Sequence, residues 1–166
     1  TDQKDHLTLL KSINNIKNKK NIKLLIIGYG SNKEKIINFI RDNELSKNVK
    51  VIGFQDNPYK YLNLSDVLIL SSLYEGAPNV LIEALCLKKF VISSNCPTGP
   101  KEILKNGNYG FLFKIKDHNH LSQLILKYKL NKNKLNKKSI DGYKSLERFD
   151  YKKNCEKYLN IIKEFI

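Results

Sequence analysis

Hydrophobic positions along the chain recur in two alternating patterns. Runs of consecutive apolar residues, typical of buried strands, occur at 22–27, 49–54, 67–70, 90–94 and 109–113. Segments with apolar residues three or four positions apart, typical of amphipathic helices, occur at 1–16, 33–45, 59–62, 78–85, 101–105, 121–130, 132–147 and 150–165. Strands that alternate with helices in this way predict an α/β fold, with a parallel sheet and helices on both of its faces. The first helix is expected to begin almost at residue 1, with Thr1 or Asp2 near its start.

The segment SSLYEGAPNVLIEAL (71–85) joins the third predicted strand to an apolar helix. Gly76 relaxes the backbone and Pro78 suits the first helical position, so the helix is predicted to begin near Pro78. The free N–H groups around residues 78–81 would point out of the carboxyl end of the sheet, where open α/β folds bind ligands and phosphate is favoured. Glu75 lies in the loop before this helix, and Glu83 lies roughly 7 Å further along it.

Two carboxylates beside an anion site indicate a particular kind of ligand. Carboxylates repel phosphate but accept hydrogen bonds from hydroxyls, so a diphosphate with a sugar on either side would fit both groups. This description matches a nucleotide sugar. The alternative is that Glu75 is a solvated loop residue and that Glu83 lies on an exposed helix face.

Several other motifs carry weaker signals. Gly28-Tyr29-Gly30 lacks a third glycine at dinucleotide spacing, so we predict a tight turn there. Gly53 marks either the close approach of a flat ligand or a turn at the end of a strand, and both interpretations stay open. His118 and His120 lack the spacing of a metal site. The three widely spaced cysteines indicate a reduced, cytosolic protein.

Length and charge set the broader limits. The 166 residues predict a single domain, 1–166, whose residues 150–166 form a carboxyl-terminal helix, and we expect a monomer. The net charge of +14 is spread through Lys- and Asn-rich helices, which favours a solvated basic face. Attraction to an anionic membrane surface is the second interpretation, and nucleic-acid binding is the weakest because no RNA-binding motif is present. No apolar run reaches transmembrane length, so any membrane contact is expected to be peripheral.

Taken together, these motifs resemble the carboxyl-terminal domain of GT-B glycosyltransferases of family 4, which are retaining enzymes that use nucleotide sugars. The resemblance covers nearly the whole chain and rests on the order and spacing of Gln3-Lys4-Asp5-His6, Gly28-Tyr29-Gly30, Val51-Ile52-Gly53-Phe54, Ser65-Asp66, the ten residues from Glu75 to Ala84, Gly99-Pro100-Lys101-Glu102-Ile103 and Asn106-Gly107. It implies a Rossmann-like fold that forms the carboxyl-terminal half of such an enzyme.

The resemblance also implies roles for individual residues. Glu75 would be the catalytic carboxylate beside the donor sugar, Glu83 would accept from the ribose hydroxyls, and Lys4 would add positive charge at the diphosphate. The diphosphate would face the start of the helix, at Gly76, Ala77, Pro78, Asn79, Val80 and Leu81. The base would lie on Ile52, Gly53 and Phe54. Gly99-Pro100 and Glu102 would border the site, with a plain surface role equally open for Glu102. The resemblance implies no metal and no other cofactor.

The function implied is transfer of a sugar, with retention, from a nucleotide diphosphate sugar to a glycan or lipid-linked acceptor in surface polysaccharide biosynthesis, such as lipopolysaccharide or capsule. A UDP-sugar is the favoured donor, and the expected location is the cytoplasm or the inner face of the cytoplasmic membrane. The family's arginine and its amino-terminal acceptor-binding domain have no counterpart here, so we expect a fragment that is inactive alone. The alternatives are another GT-B enzyme, an epimerase or a phosphorylase, or a basic nucleic-acid-binding module.

Overall fold

The computed structural model describes residues 1–165, and its strands follow the predicted order. They are β1 (Leu24–Ile27), β2 (Val49–Ile52), β3 (Val67–Leu70), β4 (Phe90–Ser94) and β5 (Phe111–Phe113). The helices are α1 (His6–Asn14), α2 (Lys33–Asp42), α3 (Tyr59–Leu64), α4 (Asn79–Cys86), α5 (Pro100–Ile103), α6 (His118–Leu130), α7 (Lys132–Lys144) and α8 (Tyr151–Lys163). Short 3₁₀ turns occupy Asp2–Lys4, Leu45–Lys47 and Ser145–Phe149. The spacing of apolar residues therefore predicted every strand and helix, and the predicted bounds differ from the observed ones by a few residues.

The first helix begins later than the sequence pattern predicted. Asp5 has a left-handed backbone (φ 43°) and caps α1, because its carboxylate accepts from the N–H of Thr8 at 3.3 Å and from the Thr8 hydroxyl at 2.7 Å. The helix predicted over 1–16 is therefore interrupted: a 3₁₀ turn over Asp2–Lys4 follows Thr1, and α1 begins only after Asp5. Ile16 is buried beyond the end of α1, so it matched the helical spacing without being helical.

All strand pairings are parallel, but the strands form two ladders. β1 pairs with β2, placing Leu24 opposite Val49, whereas β3 and β5 both pair with β4. Within residues 1–165 no strand pairing joins the β1-β2 ladder to the β3-β4-β5 ladder. The prediction of an α/β fold with parallel strands is confirmed, and the single continuous sheet is replaced by these two ladders.

β4 shows that the strands are covered on both faces. Phe90 and Ile92 belong to one apolar cluster, whereas Val91 between them belongs to another. Successive side chains of a strand point to opposite faces, so helices must pack on each side of β4. The first cluster is filled mainly by α1, α2 and α6, and the second by α4 and α5, through Leu10, Ile13, Ile36, Ile40, Leu121, Leu81, Ala84, Leu85 and Ile103.

The carboxyl-terminal helix α8, like the short helix α3, has no buried side chain among its described residues. Asp150 caps α8 by accepting from the N–H of Lys153 at 3.0 Å. The predicted helix 150–166 includes Ile166, which lies outside the described residues. Across residues 1–165, no helix combines the length and the apolar character needed to cross a bilayer.

Candidate functional site

Two serine pairs mark the carboxyl ends of neighbouring parallel strands. Ser71 and Ser72 follow β3, Ser93 and Ser94 end β4, and all four are buried. The Ser71 hydroxyl donates to the backbone carbonyl of Lys4 at 2.7 Å, and the Ser94 hydroxyl donates to the backbone carbonyl of Ser72 at 2.6 Å. Because buried hydroxyls need partners, these bonds fix the amino-terminal segment and the loop after β3 against the strand ends.

Glu75 lies in that loop and is bound by two side chains at one oxygen. Lys4 Nζ lies 2.7 Å from Glu75 Oε1, and the Ser72 hydroxyl donates to the same oxygen at 2.6 Å. The Glu75 side chain is 9% exposed, whereas that of Lys4 is 43% exposed. The predicted phosphate-binding lysine and the predicted catalytic glutamate therefore form an ion pair with each other.

The amino-terminal segment is held along the same loop by further bonds. Leu73 N–H donates to the Gln3 carbonyl at 2.8 Å, and Gln3 Nε2 donates to the Tyr74 carbonyl at 3.0 Å. These contacts place Lys4 beside Glu75 although the two residues are 71 positions apart. The short segment before α1 is thus part of the site.

The loop between β4 and α5 supports Glu75 from the other side. The Thr98 hydroxyl donates to the Glu75 carbonyl. Gly99 has φ 88°, and a Cβ added there would lie 2.3 Å from Pro78 Cδ and 2.9 Å from the Gly76 carbonyl oxygen. Gly99-Pro100 therefore does border the loop that contains Glu75. A Cβ built on Gly76, by contrast, has nothing within 4 Å, so the space beside Gly76 is open to a ligand.

The amino terminus of α4 corrects two details of the prediction. Pro78 is the N-cap, with ψ 84°, and the first helical residue is Asn79. Pro78 has no N–H, and the N–H of Leu81 donates to the Pro78 carbonyl at 2.9 Å, so neither residue supplies a free donor. In the described part of the chain, the N–H groups of Ala77, Asn79 and Val80 have no such partner, and they are the ones that could meet an anion.

Glu83 lies on α4 and is partly buried. Its neighbours Ala84 and Leu85 are fully buried in the core, which fixes the helix behind it. Among residues 1–165 its carboxylate forms no hydrogen bond or ion pair. The carboxylate is therefore available to a ligand, and its role at ribose hydroxyls stays a prediction.

The region expected to bind a base contains an aromatic ring that the sequence did not place there. Gly28 N–H donates to the Ile52 carbonyl at 3.0 Å and so extends the β1-β2 ladder, and Gly28 has φ 126°. The chain then turns as predicted, because Lys33 N–H donates to the Gly30 carbonyl at 3.2 Å. This turn places the Tyr29 ring against Gly53. A Cβ added at Gly53 would lie 2.8 Å from the Tyr29 hydroxyl oxygen. Tyr29 and Phe54 are 77% and 65% exposed. Gly53 thus has a close neighbour within its own chain, beside two exposed aromatic rings.

Two ionisable groups near the site have perturbed pKa values. Burial raises the pKa of the Cys96 thiol, so this thiol stays protonated at neutral pH. Burial, followed by the positive charge of the amino terminus, lowers the pKa of His6. The Glu102 side chain is exposed in the first turn of α5, in keeping with its surface interpretation. Within residues 1–165 no three His, Cys, Asp or Glu side chains are grouped to hold a metal, and independence of metal stays a prediction.

Sequence reasoning missed Tyr29 and the hydroxyl groups around Glu75, which belong to Ser71, Ser72, Ser94 and Thr98. A signal for the serines was present, because two buried apolar runs, LILSS and VISS, both end in a serine pair. Polar residues at matching ends of neighbouring parallel strands meet at one edge of the sheet, where ligands bind. Thr98 and Tyr29 lie in loops, and no sequence pattern distinguished them.

Comparison with known proteins gives a family match over most of the chain. The family model described as glycosyl transferases group 1 matches residues 1–145. An uncharacterized glycosyltransferase of Methanocaldococcus jannaschii is 45% identical over 105 residues, which are 63% of this chain and 26% of that protein. The N-acetylgalactosamine-N,N'-diacetylbacillosaminyl-diphospho-undecaprenol 4-alpha-N-acetylgalactosaminyltransferase of Campylobacter jejuni is 29% identical over 160 residues, 94% of this chain and 43% of that enzyme.

A solved structure supports the same assignment. A mutant of Staphylococcus aureus TarM, crystallised with UDP, Fondaparinux and alpha-GlcNAc-glycerol, superposes with a TM-score of 0.88 and 27% identity, over 95% of this chain and 32% of that chain. The fold matches the carboxyl-terminal half of GT-B glycosyltransferases. The chain spans less than half the length of each of these three proteins. By its match to the family model over residues 1–145, the chain belongs to the glycosyl transferases group 1 family.

Proposed function

We propose that this chain binds the nucleotide-sugar donor, a UDP-sugar, in a retaining glycosyltransferase of surface polysaccharide biosynthesis. The acceptor is a glycan or a lipid-linked sugar, bound through a separate amino-terminal domain. Two similar proteins support this proposal. The C. jejuni relative is named as a transferase that acts on a diphospho-undecaprenol-linked sugar, and TarM was solved with UDP.

The observation that carries the proposal is the group of complementary binding elements around Gly76. Glu75, which pairs with the cation of Lys4, and the free N–H groups of Asn79 and Val80 lie within four positions of Gly76, which has open space beside it. The cation and the helix N–H groups suit a diphosphate, because both favour negative charge. The carboxylates of Glu75 and Glu83 suit sugar hydroxyls, which donate hydrogen bonds that phosphate cannot. A ligand that combines diphosphate with sugars uses all of these groups.

The chemistry that we propose for the complete enzyme is mainly electrostatic. As the bond between the anomeric carbon and the diphosphate breaks, negative charge grows on the leaving group beside Lys4 and the start of α4. Fixed donors placed where charge develops stabilise a transition state more than they stabilise the substrate. Glu75 opposes the positive charge that develops on the sugar ring.

The base would lie against Ile52, Gly53 and Phe54, with the exposed ring of Tyr29 beside it. An exposed aromatic ring offers a face for stacking on a base. We further propose a cytoplasmic location at the inner face of the membrane and a monomeric state. The three cysteines, which form no disulfide, suit a reducing compartment.

Titration of the chain with UDP tests the proposal. We expect weak binding, with a Kd of about 1 mM or below, measured by calorimetry or ligand-observed NMR, and weaker binding of GDP and ADP. A parallel titration with single-stranded RNA at two salt concentrations tests the nucleic-acid alternative, because contacts to many phosphates weaken steeply with salt. Absence of UDP binding at millimolar concentration, together with salt-dependent RNA binding, would refute the proposed function.

A further inference from the structure

The two carboxylate oxygens of Glu75 differ in the hydrogen bonds that they accept. Lys4 Nζ and the Ser72 hydroxyl both bind Oε1, at 2.7 and 2.6 Å. In the described part of the chain Oε2 accepts no hydrogen bond. A carboxylate held through one oxygen presents the other to a ligand, so Oε2 is the atom available to a sugar hydroxyl.

The two groups that hold Oε1 differ in how firmly they are fixed. Lys4 has a 43% exposed side chain with four rotatable bonds, and the proposed function assigns its charge to the diphosphate. Ser72 is fully buried, and its backbone is fixed by the hydroxyl of Ser94, also fully buried, which donates to the Ser72 carbonyl at 2.6 Å. When a diphosphate attracts Lys4, Ser72 is therefore the donor that stays on Glu75.

We propose that Ser72 is the positioning residue for Glu75, holding Oε1 so that Oε2 faces a hydroxyl of the donor sugar whether or not Lys4 is bound to phosphate. This inference rests on the proposed function of Glu75 at the sugar. A hydroxyl that donates to an ionised carboxylate forms a short and strong hydrogen bond, and the 2.6 Å separation lies in the range of such bonds. Without that bond the carboxylate can rotate and follow Lys4 toward the phosphates.

The first test measures the bond without any nucleotide. Urea unfolding of the parent chain, Ser72→Ala, Glu75→Ala and the double variant forms a double-mutant cycle. We expect the two substitutions to be coupled by about tenfold in the unfolding equilibrium constant, as for a hydrogen bond to a charged group. Ser12→Ala is the matched control, because Ser12 is also fully buried and its hydroxyl donates only to the Leu9 carbonyl. The effects of Ser12→Ala and Glu75→Ala on the free energy of unfolding should be additive. If the effects of Ser72→Ala and Glu75→Ala are also additive, the inference is overturned.

The second test separates the sugar from the nucleotide. Affinities for UDP and for UDP-glucose, UDP-galactose and their N-acetylhexosamine counterparts are measured by NMR titration of the parent and variants. For the UDP-sugar that the parent prefers to UDP, Ser72→Ala should reduce the preference about tenfold and leave UDP affinity unchanged. Ser72→Thr, which keeps a hydroxyl, should retain much of the preference for the UDP-sugar. In a Glu75→Ala background, Ser72→Ala should cause no further loss of that preference.

The outcomes distinguish this inference from the proposed function. If the parent binds neither UDP nor any UDP-sugar, the proposed function fails and the sugar-positioning role fails with it, while the unfolding cycle still reports the hydrogen bond. If the parent prefers a UDP-sugar and Ser72→Ala keeps that preference, only the role of Ser72 is refuted. Equal losses of UDP and UDP-sugar affinity would mean that Ser72 supports the loop as a whole, which also refutes a specific role at Glu75.

Discussion

Gly99→Ala is expected to disturb the loop around Glu75 far more than Gly76→Ala, whose added Cβ would meet nothing within 4 Å. Gly99 has φ 88° and ψ −65°, a backbone conformation that residues other than glycine rarely adopt. The added Cβ would also lie 2.3 Å from Pro78 Cδ and 2.9 Å from the Gly76 carbonyl oxygen. Two loops would have to separate to admit it.

The cost can be estimated from these two effects. A positive φ costs a non-glycine residue roughly 1–2 kcal/mol, and forcing an extra carbon into a packed contact costs roughly 1–3 kcal/mol. We therefore expect Gly99→Ala to lower the free energy of unfolding by about 3 kcal/mol, a large share of the roughly 5–15 kcal/mol that holds most domains together. Urea denaturation at neutral pH measures this change.

Gly107→Ala is the matched control for the backbone effect. Gly107 has φ 89°, nearly the same as Gly99, but a Cβ there would meet its nearest atom at 3.8 Å. We expect this variant to lose only about 1–2 kcal/mol, and the difference between the two variants isolates the contact between the loops. Equal destabilisation by both substitutions would show that the close contact of Gly99 with Pro78 and Gly76 does not contribute to the loss of stability in Gly99→Ala.

The other predictions concern binding, turnover and pH. Lys4→Ala should weaken UDP binding about tenfold or more without changing uridine binding, and Glu83→Ala should weaken both, with a smaller loss for 2′-deoxyuridine, as measured by NMR titration. Retained binding in both variants would contradict these roles. In the complete enzyme, Glu75→Gln should lower kcat about 100-fold with unchanged UDP affinity, and full turnover in steady-state assays would exclude a role at the sugar. The pKa of His6 is lower in the folded chain than in the unfolded chain, so the unfolded chain binds a proton more readily. The free energy of unfolding should therefore decrease as the pH falls below about 6.5. Urea unfolding should show a smaller decrease in His6→Gln.

The fold was largely predictable because buried strands and amphipathic helices differ in apolar spacing. The errors arose where tertiary contacts override that spacing. The last strand was expected from residue 109 but begins at Phe111. Tyr109 N–H donates to the Leu104 carbonyl, and Gly110 approaches the Val91 carbonyl so closely that a Cβ would lie 2.5 Å from it. Neither contact can be inferred from the residues near 109 alone.

The loop that forms the candidate site was predictable from the sequence, whereas the pairings of its side chains were not. Proline and glycine beside a predicted strand end located the loop at Glu75, because those residues have local backbone preferences. The ion pair between Lys4 and Glu75 joins segments 71 positions apart, and the Tyr29 ring reaches Gly53 from a different loop. Such contacts depend on how parallel strands bring loops to one edge, which fixes proximity but not the partner of each side chain.

Under the proposed function, the pairing of Lys4 with Glu75 accounts for a carboxylate placed next to a diphosphate. Two unit charges of the same sign about 8 Å apart repel by roughly 2 kcal/mol at an effective dielectric constant of about 20. A lysine beside both groups offsets that repulsion and attracts the phosphates, whether or not it keeps its hydrogen bond to Oε1. Removal of Lys4 therefore loses an attraction and leaves the negative charge of the 9% exposed Glu75 side chain uncompensated. We therefore expect the loss of UDP affinity in Lys4→Ala to exceed what a solvent-exposed lysine would contribute by itself.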